Sequence, residues 1–183
     1  AILRAARHLA PANIPMIGVN LGKLGFLTEV DQREVASLAR SLAAGRYTEV
    51  AALMLSCALT RRGLVIFRGL ALNDAVLGGG GISRLKSFDL RVDGQAVATY
   101  PADGLIVATP SGSTAHSLSA GGPLLLPSMV GLVVTAICPQ GLANRPLVLH
   151  PDAKIELAIR STGGLTTLVV DGQGYAPMRQ GDS

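Results

Sequence analysis

The residues able to do chemistry fall in four places along the 183-residue chain. Asn73-Asp74 interrupts an apolar run, Leu70–Leu77. An amide and a carboxylate there either face a cleft or satisfy nearby backbone as a turn pair. If they face a cleft, the carboxylate can accept two hydrogen bonds from vicinal hydroxyls. Asp103 stands next to Gly104, where by itself it reads as a turn cap. Thr109-Pro-Ser-Gly-Ser-Thr-Ala-His-Ser117 follows an apolar stretch, Leu105–Ala108. Its hydroxyls (Ser111, Ser113, Thr114, Ser117) offer donors and acceptors for a sugar. Gln173, after Asp171-Gly172, is the last, and by itself reads as an ordinary turn residue.

The elements that must position these groups can be read from pattern. Leu105–Ala108 is a buried strand that Pro110 ends, since proline offers a ladder no N–H. Thr114–Ala120 reads as a short helix with Ser113 as N-cap, stopped by Gly121-Gly122-Pro123. Strand, glycine turn and helix start would gather free N–H groups, a place suited to a phosphate ester. The stretch can equally be a tight strand-to-helix connection. It is not a Walker A loop, because no Lys follows Gly112 at the required spacing. Nor is it a nucleophile elbow, because the second glycine of G-x-S-x-G is missing.

Ile2–Ala10 is an amphipathic helix and Ile14–Val19 a buried strand. Asn20–Gly25 is a loop that can take positive φ at both of its glycines. Asp31 caps a helix with Glu34 in a capping box, Val35, Leu38, Ala39 and Leu42 on one face, and Gly45 at its end. From Tyr47 on, strands dominate: Val50–Thr60, Leu64–Phe67, Leu70–Leu77, Lys86–Val92, Gln95–Tyr100, Leu105–Ala108, Leu132–Cys138, Pro146–Leu149, Lys154–Arg160 and Leu165–Val170. Phe88, Leu90 and Val92 alternate with Asp89, Arg91 and Asp93, and Asp93-Gly94 turns a hairpin. Ser161–Gly164 turns another strand back, and Gly78–Gly81 is a glycine turn. The expected class is α+β: a remnant of an N-terminal α/β domain with a linking helix (1–45), a large β-rich, sandwich-like domain (46–170), and the start of a return segment (171–183).

Bulk properties narrow the function classes. Hydrophobic residues make up 49% of the chain, which excludes a disordered one. A net charge of +4 suits a polyanionic small ligand. The basic residues are scattered and not interleaved with aromatics, so no nucleic acid partner is expected. Pro123, Pro127 and Gly131 interrupt the most apolar stretch, so no membrane span is expected. Cys57 and Cys138 lack Cys or His at ligand spacing and read as buried free thiols of a cytoplasmic protein.

Taken as a string, Asp103-Gly-Leu-Ile-Val-Ala-Thr-Pro-Ser-Gly-Ser-Thr-Ala-His-Ser-Leu-Ser-Ala-Gly-Gly-Pro123 resembles the signature of bacterial NAD kinases. Gly18-Val-Asn-Leu-Gly-Lys-Leu-Gly-Phe-Leu-Thr28, Ala71-Leu-Asn-Asp-Ala-Val-Leu77, Cys138-Pro-Gln-Gly-Leu-Ala-Asn-Arg-Pro-Leu-Val148 and Val170-Asp-Gly-Gln173 fit the same family in order. The resemblance covers most of the chain. It implies transfer of the γ-phosphoryl of ATP to the adenosine ribose of NAD, giving NADP, with Mg²⁺ or another divalent cation at the phosphates. Polyphosphate serves as donor in some members.

By the same resemblance, the dinucleotide is met by Asn73, Asp74, Asp103, Thr114, Ala115, His116, Ser117, Ser119 and Gln173, with Arg4 and Arg84 near phosphates or the second nucleotide. For both arginines, a solvated surface position is the competing reading. Three departures concern fine specificity. His116 stands where Tyr is usual, keeping a flat ring that can stack. Asp74 replaces the commoner Glu, and Gln140 stands where His is frequent. The family's catalytic aspartate lies in a Gly-Gly-Asp-Gly segment just before a helix resembling Ile2–Arg7. The reading is therefore of a piece of a longer protein that carries the binding residues without that base. Members are commonly dimers or tetramers, so a homodimer or homotetramer is expected. The competing function is a non-catalytic dinucleotide-binding or oligomerisation module.

Overall fold

The computed structural model describes residues 1–22, 27–79, 86–141, 144–161 and 164–183. The chain is α+β and divides into two compact units, Ala1–Ala51 and Ala52–Ser183.

In the first unit, α1 (Ile2–Leu9) passes into a 3-10 turn at Ala10–Ala12 that left-handed Asn13 ends. β1 (Val19–Asn20) pairs in parallel with β2 (Val30–Asp31). Of the strand expected over 14–19, only Val19 joins a ladder. Pro15 has no N–H to give, and Ile14, Met16 and Ile17 are exposed. Gly22 stays out of the left-handed region, and its amide donates to Asn20 Oδ1 at 3.0 Å. Gly25 lies outside the described residues. The Asp31–Glu34 capping box forms as read: Asp31 Oδ1 accepts from Arg33 N at 3.0 Å and Glu34 Oε2 from Asp31 N at 2.9 Å. A 3-10 turn at Gln32–Glu34 then opens α2 (Val35–Ala43), and Gly45 follows with φ +66°.

The second unit is antiparallel throughout. β3 (Leu55–Arg61) and β4 (Leu64–Ala71) make a two-stranded ribbon. β6 (Lys86–Val92), β7 (Gln95–Ala102) and β11 (Ile155–Ser161) make a three-stranded sheet in the order β11-β6-β7. Its hairpin turns at Asp93-Gly94, where φ of +51° and +79° is the two-residue geometry that suits the strand twist. The largest sheet has six strands. β5 (Asp74–Gly78), β8 (Gly104–Ala108), β9 (Leu132–Ile137), β10 (Leu147–Leu149), β12 (Thr166–Val170) and β13 (Gly174–Met178) lie in the order β10-β9-β8-β5-β12-β13.

Alternation sorts the side chains of the large sheet onto two faces. Ala75, Leu77, Leu105, Val107, Leu168 and Val170 join Phe88, Leu90, Leu157 and Ile159 in the main core. Val76, Ile106 and Val133 face the other way, with Leu125 over them. β8 is buried at every residue, which is why it reads as an unbroken apolar run.

The apolar run over 70–77 is not one strand. It bends at Leu72-Asn73, between β4 and β5. The segment after β13 returns to clasp two other strands. Ser183 and Thr60 exchange backbone hydrogen bonds of 2.6 and 3.1 Å, and Ile159 N donates to Asp182 O at 3.1 Å. Arg61 grips the Asp182 carboxylate, with Nη2 to Oδ2 at 2.7 Å and Nε to Oδ1 at 3.0 Å. The thiols differ from expectation: Cys57 is half-buried and Cys138 exposed. β9 ends at Ile137, and Cys138 turns away from the sheet with φ +46°. Among the described residues no helix is long and apolar enough to cross a membrane.

Candidate functional site

β5 runs antiparallel to both of its neighbours, β8 and β12. The start of β5 must therefore lie beside the ends of the other two. Three loops meet there: Leu72-Asn73 before β5, Thr109–Ala115 after β8, and Asp171–Gln173 after β12.

The Leu72–Asp74 backbone is held from both sides. From β12, the Asp171 carboxylate accepts three main-chain N–H groups: Leu72 to Oδ2 at 2.9 Å, Asn73 to Oδ1 at 2.8 Å and Asp74 to Oδ1 at 3.2 Å. Asp171 itself has φ +50°, and its N–H donates to Asp74 O at 2.9 Å. From β8, Thr109 N donates to Asn73 O at 2.9 Å. The Thr109 hydroxyl donates to Leu72 O and accepts from Gly112 N. Gly112 lies so close that a Cβ there would come 2.0 Å from Asn73 O, which only glycine tolerates.

With its backbone satisfied, this turn leaves two side-chain groups unsettled. Asn73 Oδ1 is buried and has no hydrogen-bond partner among the described residues. Such an acceptor calls for a donor. Asp74 is 6% exposed, and its carboxyl is pushed above the usual carboxylate range. Burial is the main cause, the Asp171 charge adds to it, and His116 opposes it. His116 thus has a carboxylate in its field that the sequence did not reveal.

The loop after β8 differs from the expected capped helix. A 3-10 turn spans Gly112–Thr114, and α3 is a single turn, His116–Ser119, with no side-chain cap. So short a helix supplies little dipole. Ser113 is not an N-cap. It is fully buried, its Oγ donating to Pro110 O at 2.7 Å and accepting from Leu125 N at 3.0 Å. The hydroxyl pins the loop that follows α3 and is spent there. Ser117 is also fully buried, its Oγ bonded to Thr135 Oγ1 at 2.9 Å and packed against Gly122. Thr114, His116 and Ser119 are exposed, and Ala115 is half-buried. Behind the Ser117–Thr135 pair lies a cavity of about 170 Å³, between the end of α3 (Ala120, Gly121), β9 (Thr135, Ala136) and the loop carrying Asn144 and Arg145.

The structure therefore brings together Asn73, Asp74, the 114–119 loop and the turn bearing exposed Gln173. It does not bring Asp103 to them. Asp103 precedes β8, a strand length of roughly 15 Å from that strand's far end. Arg4 is exposed on α1 of the first unit, and Arg84 lies outside the described residues. The sequence reading missed Thr109, Gly112 and Asp171 as the groups that shape the turn. The fit of Val170-Asp-Gly-Gln173 to the family was the signal in the sequence for Asp171. Among the described residues, no group of three or more His, Cys, Asp or Glu is placed to hold a metal ion.

Comparison with known proteins shows the family. Residues 72–183 match the family model of the ATP-NAD kinase C-terminal domain and residues 1–47 that of the N-terminal domain. The NAD kinase of Koribacter versatilis is 45% identical over 181 residues, covering 99% of this chain and 64% of that protein. Yeast NADH kinase, solved as a complex with NADH, superposes with a TM-score of 0.88 at 33% identity, over 99% of this chain and 53% of its own. An NAD kinase from Archaeoglobus fulgidus, solved with ATP, superposes at 0.71 and 26% identity, over 92% of this chain and 63% of its own. The chain spans less than two thirds of the length of the curated relatives it matches. Two domain models in order, together accounting for most of its residues, place the chain in the ATP-NAD kinase family.

Proposed function

We propose that this chain is the dinucleotide-holding part of an enzyme that transfers the γ-phosphoryl of ATP to the 2′-hydroxyl of the adenosine ribose of NAD, making NADP. The observation that carries the proposal is the Asn73-Asp74 turn. Its backbone is fully engaged, yet its amide oxygen has no partner among the described residues and its carboxyl is buried. Those two groups suit the vicinal hydroxyls of a ribose, which donate where Asn73 Oδ1 and Asp74 can only accept. Exposed His116 offers a ring face for the base, with Thr114, Ala115 and Ser119 along the same loop and Gln173 across from it. Ser117 acts from behind, holding α3 to β9 through Thr135.

The names and bound nucleotides of the relatives support this reading: one neighbour was solved with NADH and another with ATP. Catalysis of this kind rests on positioning and on charge neutralisation at the phosphates. The residues described above supply positioning, and none of them is assigned as the base. We read the whole protein as a cytoplasmic homodimer or homotetramer. Exposed Leu124, Leu126 and Val130 on the segment after α3 support association.

The test is NADP formation by the full-length product of the parent reading frame, given NAD and Mg-ATP and followed with an NADP-specific dehydrogenase. NADP accumulating in step with ATP consumption is the expected result. Tight NAD binding with no NADP at saturating ATP would replace the kinase with a binding module.

A further inference from the structure

We propose that Asp171 is a positioning residue for nucleotide recognition: by taking the N–H groups of Leu72, Asn73 and Asp74, its carboxylate aims the Asn73 amide and the Asp74 carboxyl at the ligand. The inference rests on the reading that this turn holds NAD, and it assigns the turn's shape to one side chain.

Three consecutive main-chain N–H groups facing one point make an anion-binding concavity. Here the concavity is filled from within the chain. Asp171 is 5% exposed, with both carboxylate oxygens engaged, so it is placed to act through the turn and not on a ligand. Its own N–H closes the ring onto Asp74 O. The link spans 97 to 99 residues of sequence. Without the carboxylate, three N–H groups lose their acceptor, and two of the residues concerned are buried. Leu72–Asp74 would then turn to find other acceptors, and the side chains it carries would turn with it. Thr109 and Gly112 alone grip only the carbonyl side of the turn.

Asp171→Asn is the test variant, because an amide keeps the size and one acceptor but presents a donor to the other N–H groups. Asp171→Glu is the second, keeping the charge and displacing it. Both are made in the full-length protein. In the ligand-free protein, hydrogen exchange at the amides of Leu72, Asn73 and Asp74 is expected to speed at least tenfold in either variant, with exchange in β8 and β9 unchanged. In kinetics, KM for NAD is expected to rise about tenfold, the loss expected from one charge-assisted contact, while KM for ATP stays within twofold. In an Asn73→Ala background, Asp171→Asn is expected to weaken NAD binding less than it does in the parent, by under about threefold, because one of the two side chains it positions is gone.

Unchanged exchange at 72–74 overturns the proposal whatever the ligand does. Faster exchange with NAD affinity within twofold of the parent also overturns it. So does a full tenfold effect in the Asn73→Ala background, or failure of both variants to fold, which would mark Asp171 as purely structural. If the parent protein itself binds no NAD while exchange at 72–74 still responds, the dinucleotide reading fails and the turn-setting role of Asp171 stands.

Discussion

Two buried carboxylates of the second unit have been put to opposite uses. Asp182, in the clasp that ties the end of the chain to β3 and β11, is held by Arg61 and by Arg179 N at 2.8 Å. The Arg61 guanidinium pulls its carboxyl below the ordinary range. Asp74, at the start of β5, lies close to a second carboxylate, and burial pushes it up. One charge is satisfied within the fold. The other is held at a cost that a ligand's hydroxyls could relieve. The contrast separates a carboxylate that stabilises the structure from one that, on the proposed reading, is kept for an incoming group.

The comparison can be broken at several points, the largest effect first. Gly112→Ala puts a methyl 2.0 Å from Asn73 O, and the loop must move. We expect a loss of about 1–3 kcal/mol in denaturant unfolding, the usual cost of overpacking, together with weakened NAD binding. Unaltered stability would mean that the β8 loop does not press on the turn.

Asn73→Ala and Asp74→Ala should each weaken NAD binding about tenfold in calorimetry, as expected when a buried polar contact is lost. Unchanged affinity in both would remove the turn from the site.

Asp182→Asn should lower Tm at neutral pH by about 2–4 °C, the shift expected for a loss near 1 kcal/mol in a chain of this size. The sign follows from its depressed pKa. The stabilisation is complete above the ordinary carboxylate range and fades as pH falls through the lowered value of the fold. The difference between variant and parent should therefore shrink in acid.

Asp74→Asn is the smallest change and runs the other way. Because the folded-state pKa is raised, ionised Asp74 destabilises the ligand-free fold once pH exceeds the ordinary carboxylate value, and fully so above the raised one. The variant should be slightly more stable than the parent at neutral pH and indistinguishable from it in strong acid, by thermal melts across pH. NAD affinity of the parent should fall as pH drops through the raised value.

The segments carrying the site were legible where they depend on neighbours in sequence. β8 showed as an apolar run cut by Pro110, and the Asp31–Glu34 cap as a spacing of three. What failed depends on partners far away. Ser113 could cap a helix or tie two loops, and the deciding donor, Leu125 N, is twelve residues on. Leu70–Leu77 looked like one strand because nothing local shows that Asp171 bends it at Leu72-Asn73. Cys138 looked buried because its apolar neighbours gave no sign that it turns out of β9. Arg4 and Asp103 were grouped with the site by resemblance alone. Within the second unit, Asp103 sits at the other end of β8.

The distance in sequence between Asp171 and the turn it closes also sets an order of events. On the ribosome, Asn73 and Asp74 emerge long before the carboxylate that shapes them, and joining the two means closing a loop of nearly a hundred residues. A nascent chain stopped anywhere short of β12 would carry every recognition group of the turn and still lack its geometry. On the proposed reading of the turn, coenzyme capture therefore has to wait until β12 and Asp171 have been made.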